Sequence, residues 1–536
     1  MKNRLAVLFL LLTSLHALAQ EVRRGDCTPQ VNPSGTALAR GAKPLRLPSI
    51  YNSWDSTRVY RQAVILLSFA DTDFAVENPR EFYDKVFNRS GFNWRNGPGC
   101  VAEYFREQSR GMFNVVFDVY GPIKVKGKAQ PYANPTEDTR NYGHSSFTEA
   151  VNKAIDSLKV DFTPYDWNDN GSVNQIIFVY AGACGNQDAK TSYGHIWPNT
   201  GTISTINANG KRISNYTASA ETWNNGASCG IGTIIHEYTH SLGLPDIYPT
   251  VSSGGYSVMD EWDLMDGGNF TNYGWCPPNY TPLEKMLLGW LTPVELTEAQ
   301  SVKNMKPLAE GGVVYRIKHS NNEWLLLENR QQKGWDLGLP GKGLLIYHVY
   351  YDRSLWSANI VNNDVNKRRF SLFNADNMDY DAWYDYLFTW AKPKQYAGSD
   401  HMNSHLLSTS AYPWTTDSTE FVNDKLTNTS IPAARMYSAN IDGETMLGMS
   451  VTNIVQNPDG TVSFDFAPDT QQQLKGDVNA DGTVNVADIS AIISIMAGDQ
   501  DFSQESGSAA YDADVNEDGA VNVADISAVI TIMAEQ

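Results

Sequence analysis

The 536-residue sequence predicts an α+β fold, followed by a β-rich domain and a small α-helical module. Three observations carry this. Buried-strand runs and helical periodicities mix between residues 60 and 295. After Trp290 the texture changes to short β runs bounded by Asn, Gly and Pro. Near the C-terminus an acidic loop occurs twice, each copy leading into a helix with an apolar face. A chain this long exceeds what one hydrophobic core organises, so several domains are expected.

Residues 1–19 read as a signal peptide: Lys2 and Arg4 open it, Leu5 to Leu12 is apolar, and Ala17-Leu18-Ala19 is a small-x-small cleavage site. The expectation is a secreted protein. No later stretch reaches the ~20 apolar residues of a transmembrane helix. Residues 20–59, rich in Pro, Gly, Arg and Ser, are expected to form a pro-segment or linker. In 60–295 the run Ala63 to Phe69 predicts a buried strand. Pro79 to Phe87 and Val101 to Gln108 predict helices, Phe113 to Val119 a strand, His144 to Leu158 a helix and Val173 to Tyr180 a strand. Domain 296–469 carries the β runs Val313 to Ile317, Trp324 to Glu328, Gly343 to His348 and Val462 to Phe466. The polar Gln471 to Gln473 opens the module at 470–536. A formal net charge of -19 argues against nucleic acid as a partner.

The chemistry concentrates in His236-Glu-Tyr-Thr-His-Ser-Leu-Gly-Leu-Pro-Asp246. On a helix of 3.6 residues per turn, His236 and His240 project from one face and can share a tetrahedral zinc ion. Gly243 can break the helix and return the chain, offering Asp246 as third ligand. Glu237 then lies beside the open position as general base. Asp260 and Glu261 are the alternative third ligands, at a longer spacing. His195 either lines the cleft or is structural. No Gly-x-Ser-x-Gly nucleophile element occurs.

Downstream, Met265 in Trp262-Asp-Leu-Met-Asp-Gly-Gly268 resembles the Met-turn of metzincin peptidases, which implies a hydrophobic floor beneath the metal. The Gly-Leu-Pro-Asp246 detail, this turn, Pro282 to Trp290 and Gly334 to Ile346 together resemble the M6 family of immune-inhibitor-A-like metallopeptidases, over roughly residues 60–468. The resemblance implies a metzincin-like domain and zinc-dependent cleavage of protein or peptide substrates. The alternative is a scaffold-docked binding protein whose protease-like domain is not catalytic.

Cys100, Cys184, Cys229 and Cys276 fall in the enzyme region, where export permits disulfides in three possible pairings. Cys27, in the presumed pro-segment, is a candidate latency ligand for the zinc. Asp166-x-Asn168-x-Asn170-Gly171-x-x-Asn174, with Ile177 where a closing carboxylate should stand, suggests either one additional, partial calcium site or an Asn-rich turn. The C-terminal repeat has EF-hand chemistry. Its first copy offers Asp477, Asn479, Asp481, Thr483, Asn485 and Asp488. The second offers Asp514, Asn516, Asp518, Ala520, Asn522 and Asp525, with Gly482 and Gly519 at the sharp turn. The following helices present Ile489, Ile492, Ile493, Met496 and Ile526, Val529, Ile530, Met533 as their apolar faces. Paired loops each followed by one helix resemble a type I dockerin over 474–536, which implies two Ca²⁺ ions and a cohesin partner through Val486-Ala487 and Val523-Ala524.

Overall fold

The structure is a computed structural model that describes residues 54–132, 134–136, 140–186, 193–251, 257–379, 407–415, 422–441, 443–469, 475–479, 484–497, 513–516, 518 and 520–535. The signal peptide, residues 20–53 of the expected pro-segment with Cys27, the Gln471 linker, Asp481 and Thr483 lie outside the described residues.

The chain divides into two compact units. The first comprises residues up to Thr292 together with two later segments, Gln332–Leu339 and Arg353–Asn363; the remainder forms the second. In the first unit the elements run β1 (Val59–Ser68), α1 (Pro79–Asn88), α2 (Val101–Gln108), β2 (Asn114–Lys124), α3 (His144–Asp156), β3 (Ile176–Ala183), β4 (Asn199–Ala208), β5 (Lys211–Thr222), α4 (Gly232–Ser241) and α5 (Pro282–Leu287). They build a five-stranded sheet of order β2-β1-β3-β5-β4. β1 pairs in parallel with β2 and β3, and β3 with β5, while β4 alone runs antiparallel at the edge. The architecture is therefore mixed α/β, with helices interleaved among mostly parallel strands. Interior strands covered on both faces read as unbroken apolar runs, which is why Ala63 to Leu67 and Ile176 to Tyr180 are buried throughout.

The β4–β5 hairpin is absent from the sequence-based expectation. β4 is Thr-, Ser- and Asn-rich and half exposed, as an edge strand can be. The local signal was Asn209-Gly210, a two-residue hairpin turn with φ of +53° and +74°.

The second unit holds β6 (Val294–Glu295), β7 (Gln300–Met305), β8 (Tyr315–Lys318), β9 (Glu323–Arg330), β10 (Gly343–Tyr350), β11 (Phe370–Leu372), β12 (Trp414–Thr415), β13 (Val422–Asn423), β14 (Met449–Gln456) and β15 (Val462–Pro468). These form sheets of order β11-β10-β9-β8-β6 and β14-β15-β7 and the pair β12-β13, around a core that includes Leu325, Leu327, Leu344, Ile346, Val451 and Phe464. Helix α6 (Arg353–Ala358), although it follows β10, belongs to the first unit.

At the C-terminus α7 (Val486–Met496) and α8 (Val523–Glu535) share a small core of Val478, Val484, Ile492, Ile495, Ala513, Val515 and Val529. Ile495 replaces Ile493 in the expected face: Ile493 and Ile530 are half exposed, because the helix turns its 489/492/495 stripe inward. No helix among the described residues is long and apolar enough to cross a membrane.

Candidate metal centre

Helix α4 is buried along nearly its whole length and packs on β5, on β4 and on the turn Gly268–Gly274. Gly232 permits that approach, since a Cβ there would stand 2.0 Å from the Asn269 carbonyl oxygen. His236 and His240 lie one turn apart, ring centroids 4.9 Å and planes 86° apart. Their Nδ1 atoms bond main-chain carbonyls, Leu264 at 2.9 Å for His236 and Leu244 at 2.8 Å for His240. A carbonyl only accepts, so each Nδ1 carries the proton and each Nε2 keeps a lone pair for a ligand.

Gly243, at φ +101°, ends the helix and turns the chain back. Asp246 Oδ1 then lies 3.3 Å from His236 Nε2 and 3.1 Å from His240 Nε2. Asp246 Oδ2 accepts from Asn359 Nδ2 at 2.7 Å, and the Asp246 amide donates to Asn359 Oδ1 at 2.7 Å. Oδ1, by contrast, is buried with no hydrogen-bond donor on it. Three lone pairs thus converge in a buried space, an arrangement that calls for a cation. Burial opposes charge on His240, but the Asp246 carboxylate outweighs it and lifts the imidazole to about 9. Burial likewise works against ionised Asp246, yet His240 and His236 hold its carboxyl far below the usual range. Two neutral imidazole nitrogens and one carboxylate oxygen are a donor set that fits zinc. Among the described residues, His236, His240 and Asp246 are the one His, Cys, Asp and Glu cluster able to hold a metal. Asp260, Glu261 and His195 stand outside it.

Glu237 is 8% exposed, and burial raises its carboxyl above the ordinary value against the pull of the two imidazoles. Thr200, on β4, donates to the Glu237 main-chain oxygen at 2.5 Å and lies 3.2 Å from its Oε2. Sequence reading missed Thr200 because it missed the hairpin. Met265 is fully buried, its carbonyl accepting from the Ile247 amide at 2.8 Å, which ties its turn to the segment carrying Asp246. Asp266 braces the same turn by accepting from Ser257 Oγ at 2.5 Å and from the Val258 and Met259 amides at 2.9 and 2.8 Å.

Two expectations need correction. Asp166 does not open a calcium site: its oxygens take the Lys211 ammonium at 2.8 Å and the Asn170 and Gly171 amides at 3.1 and 2.8 Å, so a side-chain cation fills the place. The four described cysteines are free, buried thiols rather than disulfides. Burial and the neighbouring Cys184 raise the Cys229 thiol well above its ordinary value, whereas Cys100 accepts from the Glu103 amide and Cys276 donates to the Trp335 carbonyl. In the acidic repeat, Asp488 accepts from the Asn479 and Asn485 amides at 3.0 and 2.7 Å. Asp525 repeats this with Asn516 and Asn522 at 3.1 and 2.8 Å. Position 12 thereby closes each loop on itself and caps the helix that follows.

Residues 181–285 match the family described as Immune inhibitor A peptidase M6, catalytic domain. That M6 match contains the whole of α4, Asp246 and Met265. Residues 475–534 match the type I dockerin domain. Immune inhibitor A of Bacillus thuringiensis subsp. alesti is 25% identical over 308 residues, covering 47% of this chain and 43% of its own. Pre-pro-metalloprotease PrtV of Vibrio cholerae serotype O1 (strain M66-2) is 22% identical over 247 residues, covering 40% and 26%. The chain thus spans less than half the length of these curated relatives. The resemblance to M6 peptidases and type I dockerins stands on these matches.

Proposed function

We propose that this protein is a secreted zinc-dependent endopeptidase with a metzincin-like catalytic domain and a calcium-binding dockerin-like module. The observation that carries it is the convergence of His236 Nε2, His240 Nε2 and Asp246 Oδ1 beside the buried carboxylate of Glu237. The proposed domains are 60–295 for catalysis, completed by the returning segments 332–339 and 353–363, then 296–469 and 470–536.

His236, His240 and Asp246 would hold the metal. When bound, zinc supplies Lewis acidity to the attacking water and to the scissile carbonyl. Glu237 takes the proton of that water and delivers it to the departing amine, so one water is consumed and one acid and one amine are released. The Leu264 and Leu244 carbonyls fix both imidazole tautomers, and Met265 supplies an apolar floor. Thr200 holds the backbone of Glu237 against the edge strand. The pre-pro-metalloprotease relative supports this reading.

Incubation of the purified protein with unfolded casein tests it, with products sequenced by mass spectrometry. Internal peptide-bond cleavage is expected. Intact casein alongside cohesin-like binding would instead favour the non-catalytic, scaffold-docked alternative.

The dockerin match supports two calcium ions, one per loop, and a cohesin-type partner. Val486 and Val523 are each 66% exposed at equivalent positions, so the two copies present the same apolar contact twice. With calcium at about 100 times Kd, each site adds about 2.7 kcal/mol to the module's stability. Chelation by EGTA is therefore expected to lower the calorimetric transition of residues 475–535 and to expose them to proteinase K, which needs no Lys or Arg in a module that has none after Lys475, leaving the catalytic transition in place. A module equally stable without calcium contradicts the assignment.

A further inference from the structure

We infer that Asn359 is a positioning residue for the metal centre, which fixes the Asp246 carboxylate so that a single oxygen faces the two imidazoles. The inference rests on the zinc reading above and extends it to a segment beyond the residues matched to the M6 catalytic domain.

The side chain of Asn359 is used at both ends against one residue. Its Nδ2 donates to Asp246 Oδ2 and its Oδ1 accepts the Asp246 amide, both at 2.7 Å. A carboxylate held by a fork of this kind loses its rotation about the Cβ–Cγ bond. Oδ2 is occupied and Oδ1 remains for the site, 3.3 and 3.1 Å from the two Nε2 atoms. A free carboxylate could swing, offer both oxygens or turn away. The fork removes those choices before any metal arrives.

The backbone makes the same point. Asn359 sits just past α6 at φ +58°, with its amide bonded to the Trp356 carbonyl and the Ile360 amide to the Leu355 carbonyl. That is the Schellman ending of a helix, in which the left-handed residue is most often glycine. Asparagine tolerates this conformation at some cost, and it brings a side chain that glycine lacks. Here that side chain reaches Asp246.

The neighbours secure the clasp. Asn362 Nδ2 donates to the Ile247 carbonyl at 2.8 Å, and Asn363 Oδ1 accepts the Thr250 amide at 2.7 Å. They hold the loop after Asp246, whereas Asn359 bonds the carboxylate itself. This division supplies the controls.

In the full-length protein, Asn359→Gly removes the fork while keeping the residue that a Schellman ending prefers. Zinc affinity, measured by competition with a chromophoric chelator, is expected to fall about 10–100-fold, the usual loss when a partner behind a metal ligand is removed. Asn363→Ala, which loosens the loop but spares the carboxylate, is expected to lower the melting temperature of the metal-free protein and to leave zinc affinity within about 2-fold. Equal loss of affinity in both variants, or no loss in Asn359→Gly, overturns the inference. Asp246→Ala separates it from the underlying reading: if that variant binds zinc as tightly as the wild type, the ligand assignment has failed. If Asp246→Ala weakens zinc and Asn359→Gly does not, only the positioning role has failed.

Discussion

Glu237→Ala will abolish most peptide-bond hydrolysis while leaving the metal centre intact. The carboxylate makes no contact that holds His236, His240 or Asp246 in place; their restraints come from Leu264, Leu244 and Asn359. Its loss removes the buried acid proposed to accept a proton from water, and general acid–base catalysis contributes about 10²- to 10⁴-fold. The turnover number should fall by that factor with KM little changed, because Glu237 acts on the reacting water rather than on substrate binding. Removing a buried carboxylate whose charged form burial already disfavours should not lower the melting temperature. Wild-type turnover of casein in this variant would remove Glu237 from the mechanism.

Asp246→Ala should act at the earlier step, on the metal itself. Removing a partner behind a ligand costs about 10–100-fold in affinity, so deleting a ligand should exceed about 100-fold. Two consequences follow from its place. The carboxylate is the largest influence raising the His240 imidazole against burial, so with alanine there only Glu237 and the Leu244 carbonyl still oppose burial and the imidazole becomes less basic. Asn359 is also left with an unsatisfied amide, which weakens the clasp between residues 246–250 and 359–363. The variant should be purified with little zinc and inactive, and excess zinc should restore activity only in part. Full zinc occupancy after dialysis would return Asp260 and Glu261 to consideration.

Much of the centre was legible because its signal is local. The four-residue spacing of His236 and His240 follows from helix geometry, and Gly243 and Asp246 lie within one turn of chain beyond it. The buried strands β1 and β3 were legible for a similar reason, since a strand covered on both faces has no alternation to disguise it. What the sequence withheld is non-local or polar. The edge strand β4 carries Thr200 on a stretch with almost no apolar pattern, and only Asn209-Gly210 marked the hairpin. Asn359 has no motif; it reaches Asp246 because α6 folds back after β10 into the catalytic unit. The run at Asp166 left a calcium site and an Asn-rich turn equally open because its oxygen donors are real, while the ammonium that neutralises Asp166 comes from Lys211 at the start of β5. The cysteines were read from compartment alone, whereas Cys100 is held by the Glu103 amide and Cys276 by the Trp335 carbonyl.

The most direct test of the central claim is titration of the metal-free protein with zinc while casein cleavage is followed. Activity should rise in proportion to added zinc and stop at one equivalent per chain, with no response in His236→Ala, His240→Ala or Asp246→Ala. Full activity in the metal-free protein, or a zinc-loaded wild type that cleaves nothing, would contradict it.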